Sequence, residues 1–290
     1  MKAEKKHWGT KARVQAYKKR LQHIGTAITV TILVAIIAVS SFLFYSSLNP
    51  SSNQNINPNQ TNNPIFQLKA VIVDHLSLTA PNQTFIETAT NTLKQAGYTV
   101  DYYPSGKITV EFYRNLPTHG YSLVILRVHS AAGVYEGEGF VGGPVCLFSS
   151  EPYSKTKYFY EQWTDQLVTA SYNVPMPPYY FAITPKFVTS SMKGRFQNTT
   201  VIMMGCEGLS NTKMSEAFIQ KGAQVYISWS GIVSAKHTDQ SIIHLLQYLI
   251  IENQTIKQAV TETMKEVGPD PASSATLLAY PEEVWEDTTP

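Results

Sequence analysis

The chain has 290 residues, a net charge of +2 and a charged fraction of 15%, below the quarter or so usual in globular domains. The small basic excess does not indicate nucleic acid as a partner, because eight basic residues fall between Lys2 and Arg20 and the rest of the chain is mildly acidic. With 2 cysteines, neither a disulfide framework nor a cysteine-built zinc site can form.

Residues 1–23 form a basic segment, and residues 24–46 are uncharged. That run is long enough to cross the ~30 Å hydrocarbon core as a helix. It exceeds the apolar region of a cleaved signal peptide and lacks a small-residue cleavage site at its end. It therefore reads as a single-pass signal anchor. No Lys or Arg follows until Lys69, so the amino terminus is expected in the cytoplasm and the main domain outside the cell membrane. Residues 47–66, rich in Asn, Ser and Pro, cannot bury enough apolar surface to fold and read as a disordered stalk. Sequons at Asn59, Asn82, Asn198 and Asn253 fit an extracytoplasmic glycoprotein.

Residues 67–290 alternate between strand and helix patterns. LKAVIVD (68–74) is a β-branched run of the kind buried in a parallel sheet. Phe85, Ala89, Leu93 and Ala96 fall at helical spacing over 84–96, and Gly97 supplies the stop. A strand over 98–103, a short helix over 110–115 and a strand over 121–128 follow. Residues 130–198, with GVYEGEGFVGGP, VPMPPYYFAITP and many tyrosines, read as an elaborated insertion with a helix around 158–169. The run VIMMGCEG (201–208) is a buried strand ending at a thiol. After it come a helix over 213–221, a strand over 224–229, helices over 241–252 and 256–267, and an edge strand over 275–280. This order predicts an α/β three-layer sandwich with a mostly parallel sheet.

Two of these strands end in chemistry. YSLVILRVH ends in His129 and VIMMGCEG carries Cys206, and reacting groups in such sheets sit outside the carboxyl ends of the strands. A thiol nucleophile needs a base or charge partner and donors for the developing oxyanion. Gly205 and Gly208 flank Cys206 and leave its amide free to donate, and small residues follow His129.

An apolar strand ending in His plus a small residue, then a later one ending in small-Cys-x-Gly, resembles the caspase-like (clan CD) cysteine peptidases. The segment GCEGLSNTKMSEAFIQKGAQVYISWSGIVSAKHTDQSIIHLLQYL is closest in layout to the CHAT and gingipain-type domains. The resemblance implies a cysteine endopeptidase acting on a peptide or protein, with His129 as base and Cys206 as nucleophile. The backbone amides of Ser130 and Cys206 would be the oxyanion donors, and no metal or cofactor is implied. Glu136, Glu138, Glu207 and Asp239 are candidates for a substrate pocket taking a basic side chain, as in the Arg-selective relatives.

Competing readings stay open. Outside the cell, a Cys146–Cys206 disulfide is chemically reasonable and would remove the nucleophile. Cys206 is equally readable as an inert packed thiol, and His129 as a satisfied strand-end histidine. His237 with Asp239 is also readable as a metal-binding pair, but the spacing is nonspecific and a solvated loop is the expectation. The tyrosine-rich insertion either packs over the sheet or offers aromatic faces to a peptide or glycan. The alternative to a peptidase is thus a catalytically inactive caspase-like surface module that binds a protein or glycan.

Overall fold

The structure is a computed structural model that describes residues 68–136, 139–172, 176 and 178–282. The predicted basic segment, membrane span and stalk lie outside the described residues. Among the described residues no helix is long and apolar enough to cross a membrane.

The chain runs through β1 (Lys69–Asp74), α1 (Gln83–Gln95), β2 (Thr99–Pro104), α2 (Val110–Asn115) and β3 (Leu123–Arg127). β4 (Ser130–Glu136), β5 (Gly139–Pro152), α3 (Phe159–Trp163), β6 (Leu167–Ser171), β7 (Tyr179–Ile183) and α4 (Pro185–Ser190) follow. β8 (Thr199–Met203), α5 (Lys213–Gln220), β9 (Ala223–Trp229), α6 (Ala235–Leu246), α7 (Ile256–Val267) and β10 (Leu277–Tyr280) complete it.

The fold is mixed α/β. Its main sheet has the order β2-β1-β3-β8-β9-β10, parallel throughout except for β10, which runs antiparallel to β9. The register stacks Ile72, Ile125, Ile202 and Ile227 across four strands. Successive side chains point to opposite faces of a strand, which separates two cores. Ala70, Ile72, Ile125, Ile202 and Ile227 pack with α1, α6 and α7 on one face. Val71, Val73, Val124, Leu126, Val201 and Met203 pack on the other, with α2, α4, α5 and the inner residues Val145, Leu147 and Phe181.

Those last residues belong to a second sheet that the sequence did not disclose. Residues 130–183, expected as loops around one helix, form four antiparallel strands in the order β4-β5-β7-β6. The helix expected over 158–169 is the single turn of α3, and Leu167–Ser171 is a strand. The glycines, prolines and register shifts of β5 break the two-residue alternation by which a strand is recognised.

The helix expected from 241 starts at Ala235, where the Ser234 hydroxyl accepts from His237 N. His237 and Asp239 are therefore buried on a helix and not in a solvated loop. Within the polar string AKHTDQ, His237, Thr238 and Asp239 are internal because their side chains are satisfied, while Lys236 and Gln240 stay exposed. His237 Nε2 lies 3.1 Å from Gly268 O, Trp229 Nε1 donates to Thr238 Oγ1, and Thr238 Oγ1 donates to Met204 O. Residues 247–251 continue α6 as a π-helical turn.

Candidate functional site

β1 lies between β2 and β3, so the connections leaving β1 and β3 diverge and open a crevice at their carboxyl ends. Asp74 and His75 occupy that end of β1, Arg127 and His129 that of β3. Asp74 and Arg127 are register partners. Arg127 is fully buried, and its Nη1 contacts Asp74 Oδ1 at 2.7 Å. Its Nε and Nη2 reach Asp239 Oδ1 and Oδ2 at 2.7 and 2.8 Å, and Nη2 also donates to Ala80 O at 2.7 Å.

This pairing joins β1, β3, α6 and the segment before α1. Tyr102 donates to the remaining Asp74 oxygen and Asn82 Nδ2 to Asp239. Burial raises the Asp74 carboxyl above its ordinary range, against the pull of Arg127. The charges in apolar strand ends were the available sequence signal for this network, and it was missed.

His129 stands just above the network. Its Nε2 lies 2.9 Å from Thr79 Oγ1, and Thr79 precedes the Ala80 carbonyl that Arg127 holds. Burial, and then the Arg127 guanidinium, hold its imidazole below the usual histidine range. The ring lines an open cleft of about 560 Å³ together with Thr79, Ser130, Ala131, Phe148, Ser171 and Tyr172. Tyr172 is 5.0 Å from the His129 ring and 5.9 Å from Phe148, and it stacks on the latter.

His75 was also not anticipated. It is buried edge-on against His129 at 5.6 Å and lies 6.3 Å from Phe148. Burial, and then His129, lower its pKa to about 4. Its Nε2 is 3.5 Å from the Tyr172 hydroxyl, while its Nδ1 is buried without a hydrogen bond of normal geometry.

Cys206 lies in a turn three residues past the end of β8. β8 is the neighbour of β3, so the sheet brings the two strand ends side by side. The turn is wedged in place: a Cβ on Gly205 would stand 2.4 Å from Val128 O and 2.3 Å from Ser130 Oγ. One on Gly208 would stand 2.0 Å from Ser228 Oγ. The Ser130 hydroxyl donates to Cys206 O at 2.6 Å, which ties the start of β4 to the thiol-bearing residue.

The thiol itself does not meet the histidine. Cys206 Sγ donates to Val233 O at 3.5 Å and packs with the helical core, and it does not line the His129 cleft. Burial pushes the thiol above its ordinary range. Backbone groups of Val233 and Cys206 oppose that shift, and Glu207 and Asp270 add to it.

The expected acidic pocket is not assembled among the described residues. Asp239 is buried against Arg127, and the Glu207 carboxylate accepts from Ala132 N at 2.8 Å. Glu138 and the side chain of Glu136 lie outside the described residues. The competing disulfide is not formed. Both cysteines are free: Cys146 is buried with Phe148 and Ala182 on the second sheet, where burial lifts its pKa to about 11. No group of three His, Cys, Asp or Glu side chains among the described residues is placed to hold a metal. Comparison of the chain with protein-family models and with curated proteins finds no match in either.

Proposed function

We propose that the chain is a caspase-like cysteine peptidase, held at the outer side of the cell membrane by residues 24–46, that cleaves peptide bonds with His129 and Cys206. The observation that carries this reading is the placing of both residues at the carboxyl ends of adjacent parallel strands, tied together by the 2.6 Å bond from Ser130 Oγ to Cys206 O. The resting thiol is neutral, so no ion pair waits for substrate. A peptide entering the cleft would have to draw the thiol off Val233 O, and catalytic contacts are often loose before substrate binds.

In that complex His129 takes the thiol proton as the sulfur bonds to the peptide carbonyl carbon. The amides of Ser130 and Cys206 are the candidate donors to the oxyanion. The imidazolium then protonates the leaving amine and leaves a thioester. Water, deprotonated by His129, releases the acid and returns the thiol. The depressed His129 pKa keeps the imidazole neutral near pH 7, so activity should be held through neutrality and lost as pH falls through that depressed value.

The test is cleavage of an unfolded protein by the full chain, read as new amino termini. His129→Ala and Cys206→Ala should each abolish it, and cleavage that persists in either variant would exclude the dyad. One observation favours a second reading. The neutral thiol on Val233 O and the His129–Thr79 bond describe a satisfied site, as expected of a non-catalytic module that binds a protein or glycan in the same cleft.

A further inference from the structure

The cleft beside His129 has a composition that bears on what enters it. Phe148 and Tyr172 form an aromatic wall, and Ser130, Ala131 and Ser171 add small side chains. Among the described residues that line it none carries a carboxylate, an ammonium or a guanidinium. Arg127 is paired with Asp74 and Asp239, and one Glu207 oxygen accepts from the Ala132 amide.

A charged side chain in the cleft would lose hydration without gaining an ion partner, which is costly. A flat apolar ring would gain both burial and ring contacts, in a space within the usual range for ligand sites. The wall is also fixed from behind. His75 packs edge-on against His129 and beside Phe148, and faces the Tyr172 hydroxyl, so the rings need not reorganise to receive another.

We infer that this cleft is the side-chain subsite of the proposed peptidase and that it selects an uncharged aromatic residue, phenylalanine or tyrosine, in the peptide bound beside His129. The inference rests on the peptidase reading for the word subsite, while the recognition itself needs no catalysis. It replaces the acidic pocket for a basic side chain that the sequence suggested.

The experiment is binding of blocked amino-acid amides to the full-length chain, followed through the ring signals of ¹³C-labelled histidine. N-acetylphenylalanine amide should shift the His129 signals and bind about tenfold tighter than the leucine, lysine or aspartate amides, the size of effect expected from ring contacts beyond burial. Tyr172→Ala should remove that preference, and Ser171→Glu, at an exposed position on the rim, should bring in the lysine amide. Equal binding of all four amides, or a preference for a charged one, would overturn the inference. Cys206→Ala separates the two claims. If the variant binds the phenylalanine amide as the parent does while the parent cleaves nothing, the subsite stands and the peptidase falls. If the parent cleaves but with no aromatic preference, the reverse holds.

Discussion

The turn after β8 and the cleft after β3 lie at neighbouring strand ends but are held by different forces. The turn is fixed by steric contact, with Gly205 and Gly208 against Val128, Ser130 and Ser228 and no room for a Cβ. The cleft is fixed from below by charge, through Arg127 and its two carboxylates, and from the side by aromatic contacts. The packed turn sets where Cys206 sits, and the open cleft leaves His129 accessible to a partner. The 2.6 Å Ser130–Cys206 bond and the Glu207–Ala132 bond link the two.

The charged floor should be the more costly to break. Arg127→Ala leaves Asp74 and Asp239 buried without their cation, and removal of one partner from a buried pair costs about 3–5 kcal/mol. Denaturant unfolding measures it, and a loss under 1 kcal/mol would mean the network does not hold the cleft. The packed turn comes next. Gly205→Ala forces a methyl against a backbone carbonyl, and overpacking of this kind costs about 1–3 kcal/mol. It should also change the alkylation rate of Cys206 while leaving that of Cys146 alone.

A smaller and pH-dependent effect belongs to the aromatic wall. The His75 pKa is lowered to about 4 in the folded chain, against an ordinary value of 6.5. The unfolded chain therefore binds the extra proton between those values, and stability falls as pH drops from about 6.5 to about 4, by up to ~1.4 kcal/mol per pH unit. His129, also depressed, acts in the same direction. Asp74, raised, acts oppositely: its contribution is present below its unfolded value and is lost as pH rises through its folded one. The difference between the parent and His75→Gln isolates the histidine, and the variant's acid-side slope should be shallower. The smallest effect is expected away from both regions, at the exposed Trp163 of α3, where Trp163→Ala should change stability by less than about 0.5 kcal/mol.

Much of the main sheet was legible because parallel strands buried on both faces are short apolar runs and their helices carry ordinary caps. α2 and α7 begin and end where expected, at Val110–Asn115 and Ile256–Val267. That the strands bearing His129 and Cys206 are neighbours came from the β3–β8 pairing and not from the sequence, and the thiol turns to Val233 O even so. The second sheet was not legible, because β5 mixes Gly, Pro and a bulged register that hide its alternation. The buried face of α6 was missed for a different reason: His237, Thr238 and Asp239 look solvated in sequence, and only their partners on other elements make them interior residues. Likewise Asp239 and Glu207 looked like free pocket acids until the structure supplied Arg127 and the Ala132 amide.

The most direct measurement compares two thiol reagents on the full chain near pH 7, a small alkylating agent and a peptidyl acyloxymethyl ketone carrying phenylalanine next to the ketone. The neutral thiol on Val233 O predicts slow reaction of Cys206 with the small agent. Peptide binding in the cleft predicts much faster modification of Cys206 by the ketone, lost in His129→Ala. Modification by the ketone no faster than by the small agent, or unchanged in His129→Ala, would contradict the His129–Cys206 account.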